Sequence, residues 1–302
     1  MLQKPIIIFL LACLSITSCA QGGNKQETGL LWKISGNKLE QPSYLFGTHH
    51  LIPLSFIDSI TGLDDAFMAT EQTVGEVDMN NMGEMQMQLM MASIMPEDES
   101  YEELMSEEDR ALLDATLQEY VGVGLSQFGQ MKPAMLNTLL SVMMYKKFYP
   151  SDEEGLSMDE YFQKEARDRN RSTIGLETVQ DQINVLFDSQ SIERQAASLI
   201  CTIKNIDYGK KQMDRLMDAY HAQDLTAMAK LYEEDDADNP CPSTQEEKDE
   251  LNKERNHKWM EKLPEMMSEK SSFIAVGCLH LVGDDGLISQ LRKAGYDVEA
   301  VE

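Results

Sequence analysis

The chain has 302 residues, 42 % of them hydrophobic, and carries 52 Asp and Glu against 26 Lys and Arg, a formal charge of −26. Such an excess of carboxylate repels the phosphates of nucleic acid and anionic lipid headgroups, so nucleic acid is excluded as a partner. The length suits one α/β domain with an insertion.

The first residues, MLQKPIIIFLLACLSITSCAQ, place Lys4 before an apolar run from Ile6 to Leu14 and close on small residues and Cys19. Residues 1–18 read as a secretory signal, too short to span a bilayer. The segment resembles a bacterial lipoprotein signal, in which Cys19 is the acylated first residue of the mature chain. The expected location is therefore the bacterial cell envelope, lipid-anchored to a membrane and facing the periplasm or exterior. Residues 19–28 form a polar, Gly-containing tether, and 29–302 a single domain.

Two short apolar segments, Gly29 to Ser35 and Ser43 to Gly47, flank the turn GNKLEQP and predict a β-hairpin or adjacent strands, with His49 and His50 just beyond. A helix then leads to a strand over Thr73 to Val77, which carries Glu76 at its end. From about residue 80 to 150 strands vanish, Met is abundant and apolar residues such as Leu104, Leu112, Leu113 and Leu117 recur at helical spacing, predicting a helical insertion. Its Met residues could bind a soft metal such as Cu(I), but filling an irregular helical core is the simpler use. A helix over Leu156 to Ala166 leads into a strand, Ser172 to Glu177, and helices follow through Tyr232. The acidic, Pro-containing EEDDADNPCPST is a loop, and a long helix runs from about Gln245 to Lys262. SFIAVG, LISQLRKAG and YDVEAV close the chain as strand, helix and strand, with CLHLVGDDG a loop. This alternation predicts an α/β fold, with a mixed, largely parallel central sheet flanked by helices. The acidic runs at Pro96 to Asp109, Ser151 to Gly155 and Glu233 to Asp238 read as solvated faces or loops. No Walker loop, G-x-G-x-x-G or nucleophile elbow is present.

The chemistry-bearing signal is a repeat. FGTHHLIP (Phe46 to Pro53) and VGCLHLVG (Val276 to Gly283) share G-x-x-H-L-[IV]-[PG], although the chain holds only five histidines. His50, Glu76 and His280 are each expected past the carboxyl end of a strand, where ligands bind in open α/β sheets. Two imidazoles and a carboxylate with open positions suit a divalent transition metal, Mn, Co, Fe or Zn, that activates water. A histidine at a strand end is more often a hydrogen-bonding residue than a ligand, and only the pairing raises the metal reading. His49 has no counterpart in GCLH, and His221 and His257 lie in helical stretches without an assigned role. In an oxidising envelope Cys201 and Cys241 could pair, leaving Cys278 inside the second motif.

LLWKISG through PSYLFGTHHLIP, TVGEVDM, MDEYFQKEARDRNRSTIGLETVQDQINVL, ERNHKWMEKL and FIAVGCLHLVGDDGLISQLRKAGYDVEAV together resemble the TraB/PrgY/GumN family, which includes the animal Tiki proteins. The resemblance covers nearly the whole mature chain. Tiki proteins are regarded as metal-dependent proteases of secreted signalling peptides; related folds include erythromycin-esterase-like and haem-binding ChaN-like proteins. The resemblance implies metal at His50, His280 and Glu76, and catalytic roles for Glu76, Arg255 and Asn256. Glu76 is a ligand or the base for metal-bound water. Arg255 clamps a substrate carboxylate, steadies developing negative charge, or forms a structural ion pair. Asn256 orients Arg255 or the substrate amide, or bonds backbone. GLET matches Gly175 to Thr178, followed by Gln182; Glu177 is a second site carboxylate or a partner of Arg255. Cys278 departs from the small residue common there, and either joins the metal shell or fills buried space. The expected function is peptide or amide hydrolysis by a lipid-anchored metallohydrolase; the alternative is a non-catalytic haem-, metal- or peptide-binding lipoprotein.

Overall fold

The computed structural model describes residues 28–152, 155–233 and 238–302. The signal segment, Cys19 and the tether up to residue 27 lie outside the described residues. Thr28, expected as the tether's last residue, forms an isolated antiparallel bridge with Asp224.

Six strands build one sheet: β1 (Leu31–Gly36), β2 (Ser43–Thr48), β3 (Gln72–Gly75), β4 (Ser172–Gly175), β5 (Ser272–Gly277) and β6 (Tyr296–Ala300). The order is β4-β3-β5-β2-β1-β6. β4, β3, β5 and β2 are parallel neighbours, and β1 pairs antiparallel with both β2 and β6, so β1 alone runs against the rest. The mixed, largely parallel sheet of the sequence reading is present, as is the predicted hairpin. The last β-helix-β unit does not pair its own strands, because β6 passes β5, β2 and β1 to reach the far edge.

β5 is buried over Ser272 to Val276 and β2 nearly throughout, as expected of central strands covered on both faces. Phe46, Phe67, Phe162 and Phe273 meet between the sheet and the helix Met158–Asp168, with ring centroids 4.7–6.2 Å apart. That helix starts on a capping box, in which Ser157 accepts from the Glu160 N–H and Glu160 accepts from the Ser157 N–H.

The insertion is helical, with helices Met82–Ala92, Tyr101–Leu104, Glu107–Tyr120 and Pro133–Phe148. Its core is completed from outside the predicted bounds of 80–150. Ala196, Leu199 and Ile203 of the helix Ile192–Lys204 pack among Leu113, Leu117, Leu136 and Leu140. Helical periodicity reveals an apolar face without naming the face it meets. Cys201 of the same helix is disulfide-bonded to Cys241.

Gly47 marks where the two repeated motifs touch. A Cβ there would stand 3.1 Å from the Cys278 Cα and 3.1 Å from the Leu281 Cδ2, too close for either to remain in place. The Gly of the first motif thus lets β2 lie against the turn that begins the second. Gly47→Ala is expected to destabilise the fold by about 1–3 kcal/mol, the usual cost of overpacking. Urea unfolding would detect it, and an unchanged midpoint would mean that the turn after β5 relaxes without penalty.

Candidate active site

The four parallel strands each deliver one ionisable side chain past their carboxyl ends. In sheet order these are Glu177 after β4, Glu76 after β3, His280 after β5 and His50 after β2. Thr48 pairs with Gly277, Gly75 with Ala275, and Gly75 with Gly175, so these four chain ends lie side by side.

Arg255 ties three of them together from the helix Glu254–Met260, which continues a π-helical turn over Asp249–Lys253. Its Nη2 donates to Glu76 Oε2 at 2.6 Å and to Glu177 Oε1 at 2.6 Å; its Nε donates to Glu177 Oε2 at 3.0 Å. Its Nη1 donates to the Leu251 carbonyl at 3.2 Å and to His280 Nε2 at 3.0 Å. A guanidinium has five N–H donors, and all five are used inside the protein. Of the roles expected for Arg255, the ion pair is the one seen in this arrangement.

The tautomer of His280 follows from its partners. Asn256 Nδ2 donates to Asn252 Oδ1, the His280 carbonyl and the Asp285 carbonyl, so its Oδ1 accepts from His280 Nδ1 at 2.8 Å. Nε2 therefore carries the lone pair that receives Arg255. Burial, opposed by Glu76 and aided by Arg255 and His50, lowers the His280 pKa to about 4, so the ring is neutral at pH 7. Asn256 is fully buried behind this ring. Its hydrogen bond to Nδ1 fixes the orientation of His280.

Glu76 is held from both sides. Its Oε1 accepts from the Gly277 N–H at 2.9 Å, and Gln182 Nε2 stands 3.5 Å from Oε2. Burial would push its carboxyl up, but His280, Arg255 and the Gly277 N–H outweigh this and hold it at about 2. At neutral pH, where His280 is uncharged, the Arg255 ion pair, the backbone bond and the His50 charge are the causes that act. Trp259 Nε1 donates to Glu177 Oε2 at 3.2 Å.

His50 has a different setting. Its Nδ1 bonds Asp159 Oδ2 at 2.7 Å, and Asp159 Oδ1 accepts from Thr48 Oγ1 at 2.8 Å. Asp159 is buried in the first turn of Met158–Asp168, whereas the His50 side chain is 63 % exposed. The Asp159 hydrogen bond, acting against burial and helped by the charges of Asp159 and Glu76, raises the His50 pKa to about 9. Because water reaches the ring, the upward direction rests on the Asp159 contact. His49 points elsewhere, accepting from the Leu51 N–H and packing against Tyr220, with burial lowering its pKa to about 4.

These donors do not fit the expected metal. His280 Nε2, the atom a metal would take, already accepts from a guanidinium, and the Arg255 charge sits against both Glu76 and His280. Among the described residues no group of three or more His, Cys, Asp or Glu side chains is arranged to hold a metal ion. Cys278 is buried, with its thiol pushed up to about 12 by burial, and so fills space as a neutral group.

Asp159 is the residue of this centre that the sequence reading missed. It lies 109 positions from His50 in the amphipathic MDEYF, where an acid reads as solvent-facing. Glu177, named from the resemblance, also carried a local signal, since TVGEV and TIGLE place an acid one or two positions after a strand-ending Gly.

The buried network makes stability depend on acid in a definite direction. The folded pKa of His280 lies below its unfolded value of about 6.5. Its contribution is therefore complete above pH 6.5 and lost as pH falls through about 4. Glu76 extends the loss from its unfolded value of about 4.3 toward about 2. In denaturant titrations, His280→Gln should flatten the decline between about pH 6.5 and 4. A decline identical to the wild type would mean that other groups cause it.

No curated protein and no solved structure matches the chain significantly. A family profile does, and it covers the sheet, the insertion and every residue of this centre. By that match, which extends over residues 30–300, the chain belongs to the TraB/PrgY/gumN family.

Proposed function

We propose that the protein is an envelope hydrolase, anchored through Cys19, that adds water across a peptide or amide bond with His50 as its acid–base group. The carrying observation is that His50 is exposed to solvent while its Nδ1 is fixed by buried Asp159, which is itself held by Thr48. An imidazole held at one nitrogen presents the other in a set direction, the arrangement a general base requires. The geometry supports acid–base chemistry at His50; the choice of a peptide or amide bond leans on the family.

Neutral His50 takes a proton through Nε2 from water as the water oxygen attacks the carbonyl carbon. The imidazolium that forms is stabilised by Asp159 and by the Glu76 charge. It then returns the proton to the leaving nitrogen as the C–N bond breaks. Glu76 is too weak a base for this step, because its carboxyl is held at about 2. Its contribution is a fixed negative charge beside His50, kept in place by Arg255 and the Gly277 N–H.

Hydrolysis should therefore rise with pH toward about 9, where His50 loses its resting proton. On a mixed peptide library, His50→Ala should lower the rate by about 10²–10⁴-fold with the fold retained. Asp159→Asn should shift the rising limb toward the ordinary histidine value of about 6.5 and lower the plateau. Full activity in His50→Ala would sink the assignment. Stoichiometric Mn, Co, Fe or Zn that is lost in a folded His50→Ala/His280→Ala variant would replace it with a metal-dependent reading. Haem colour, or stable peptide binding without cleavage, would replace it with a binding protein.

A further inference from the structure

The helix Met82–Ala92 has no buried residue. Met87, Met90 and Met91 follow the i, i+3, i+4 spacing of a single helical face, Ile94 follows just past the helix end in a bridge to Met131, and each of the four is 51–67 % exposed. Residues 85–95, MQMQLMMASIM, carry no charge in a chain of net charge −26. An apolar stripe left open on so acidic a protein marks a contact surface.

Topology indicates what the stripe meets. Met82–Ala92 begins seven residues after β3 ends and packs on the helix Val179–Ile183, which begins four residues after β4 ends. It therefore stands beyond the carboxyl end of the parallel strands. The N-terminal segment leaves the sheet at this same end, since β1 enters opposite to β2, with Leu31 level with Phe46 and the Gly47 N–H bonded to the Leu30 carbonyl. β1 and β3 are three strand positions apart, about 15 Å at ordinary spacing. The chain from Cys19 to Thr28 reaches about 30 Å when extended. A lipid on Cys19 thus holds to the bilayer the end of the sheet that carries both the stripe and the His50–Glu76 centre.

We infer that Met87, Met90, Met91 and Ile94 form a bilayer-contacting face that rests in the acyl-chain boundary and sets the candidate active site at the membrane surface. Without charge in the stripe, the contact is apolar and insensitive to salt. The inference rests on the Cys19 anchor and is independent of the hydrolytic chemistry.

The test uses the full chain, acylated at Cys19, in vesicles of phosphatidylcholine with brominated acyl chains. The native Trp32 and Trp259 are buried, so Met91→Trp reports on the stripe. Glu40→Trp, in the β1–β2 turn at the opposite end of the sheet, is the control. Quenching of Met91→Trp alone, unchanged in high salt, is expected. If the protein floats with vesicles and Met91→Trp stays unquenched, the stripe does not touch lipid and the inference falls. A concentration-dependent blue shift without vesicles would assign the stripe to a second copy instead. Failure to float would remove the anchor and the orientation with it, leaving the His50 assignment untouched.

Discussion

One guanidinium holds the centre of this protein together. Arg255 spends all five donors on Glu76, Glu177, His280 and the Leu251 carbonyl, and so ties the ends of three neighbouring parallel strands to one helix. Buried carboxylates are costly without partners, and two of them this close could not both remain charged alone. The cation makes the pair tolerable and so allows the strands to present acids at their ends. This charge helps to hold the Glu76 carboxyl low and adds to the burial that keeps His280 neutral.

Around that fixed network the site is asymmetric. Glu177 and His280 are buried, Glu76 and Arg255 are partly buried, and all four are mutually satisfied, which suits them to holding charge in place. His50 is the one open member, and its anchor comes from a different element, the capped helix that packs the phenylalanine core against the sheet. Such a division between a rigid electrostatic floor and one exchangeable proton carrier is what preorganised catalysis requires. It also explains why twin motifs yield unlike histidines. In the first motif the imidazole meets a buried carboxylate; in the second it meets an amide and a guanidinium.

Several parts of this arrangement were legible from local pattern. Within each segment the strand-ending glycine and the acid or histidine that follows it sit within a few residues of each other, so spacing alone places those side chains past strand ends. Asp159 was hidden because its partner is distant in sequence and its own neighbourhood reads as an ordinary helix start. The absence of an open ligand set was equally hidden. Residue types at His50, Glu76 and His280 suit a metal, and only the position of Arg255 shows that the His280 lone pair is taken.

The sequence by itself determined the order of elements, the α/β class, the Met-rich helical insertion and the residues that leave the strands, because period, turn chemistry and Gly placement act over a few positions. Tertiary structure decided the strand order β4-β3-β5-β2-β1-β6, the meeting of Arg255 with two glutamates and the pairing of His50 with Asp159. Beyond the β1–β2 hairpin, those outcomes come from contacts between segments 78 or more residues apart, where local pattern carries no information on which face meets which.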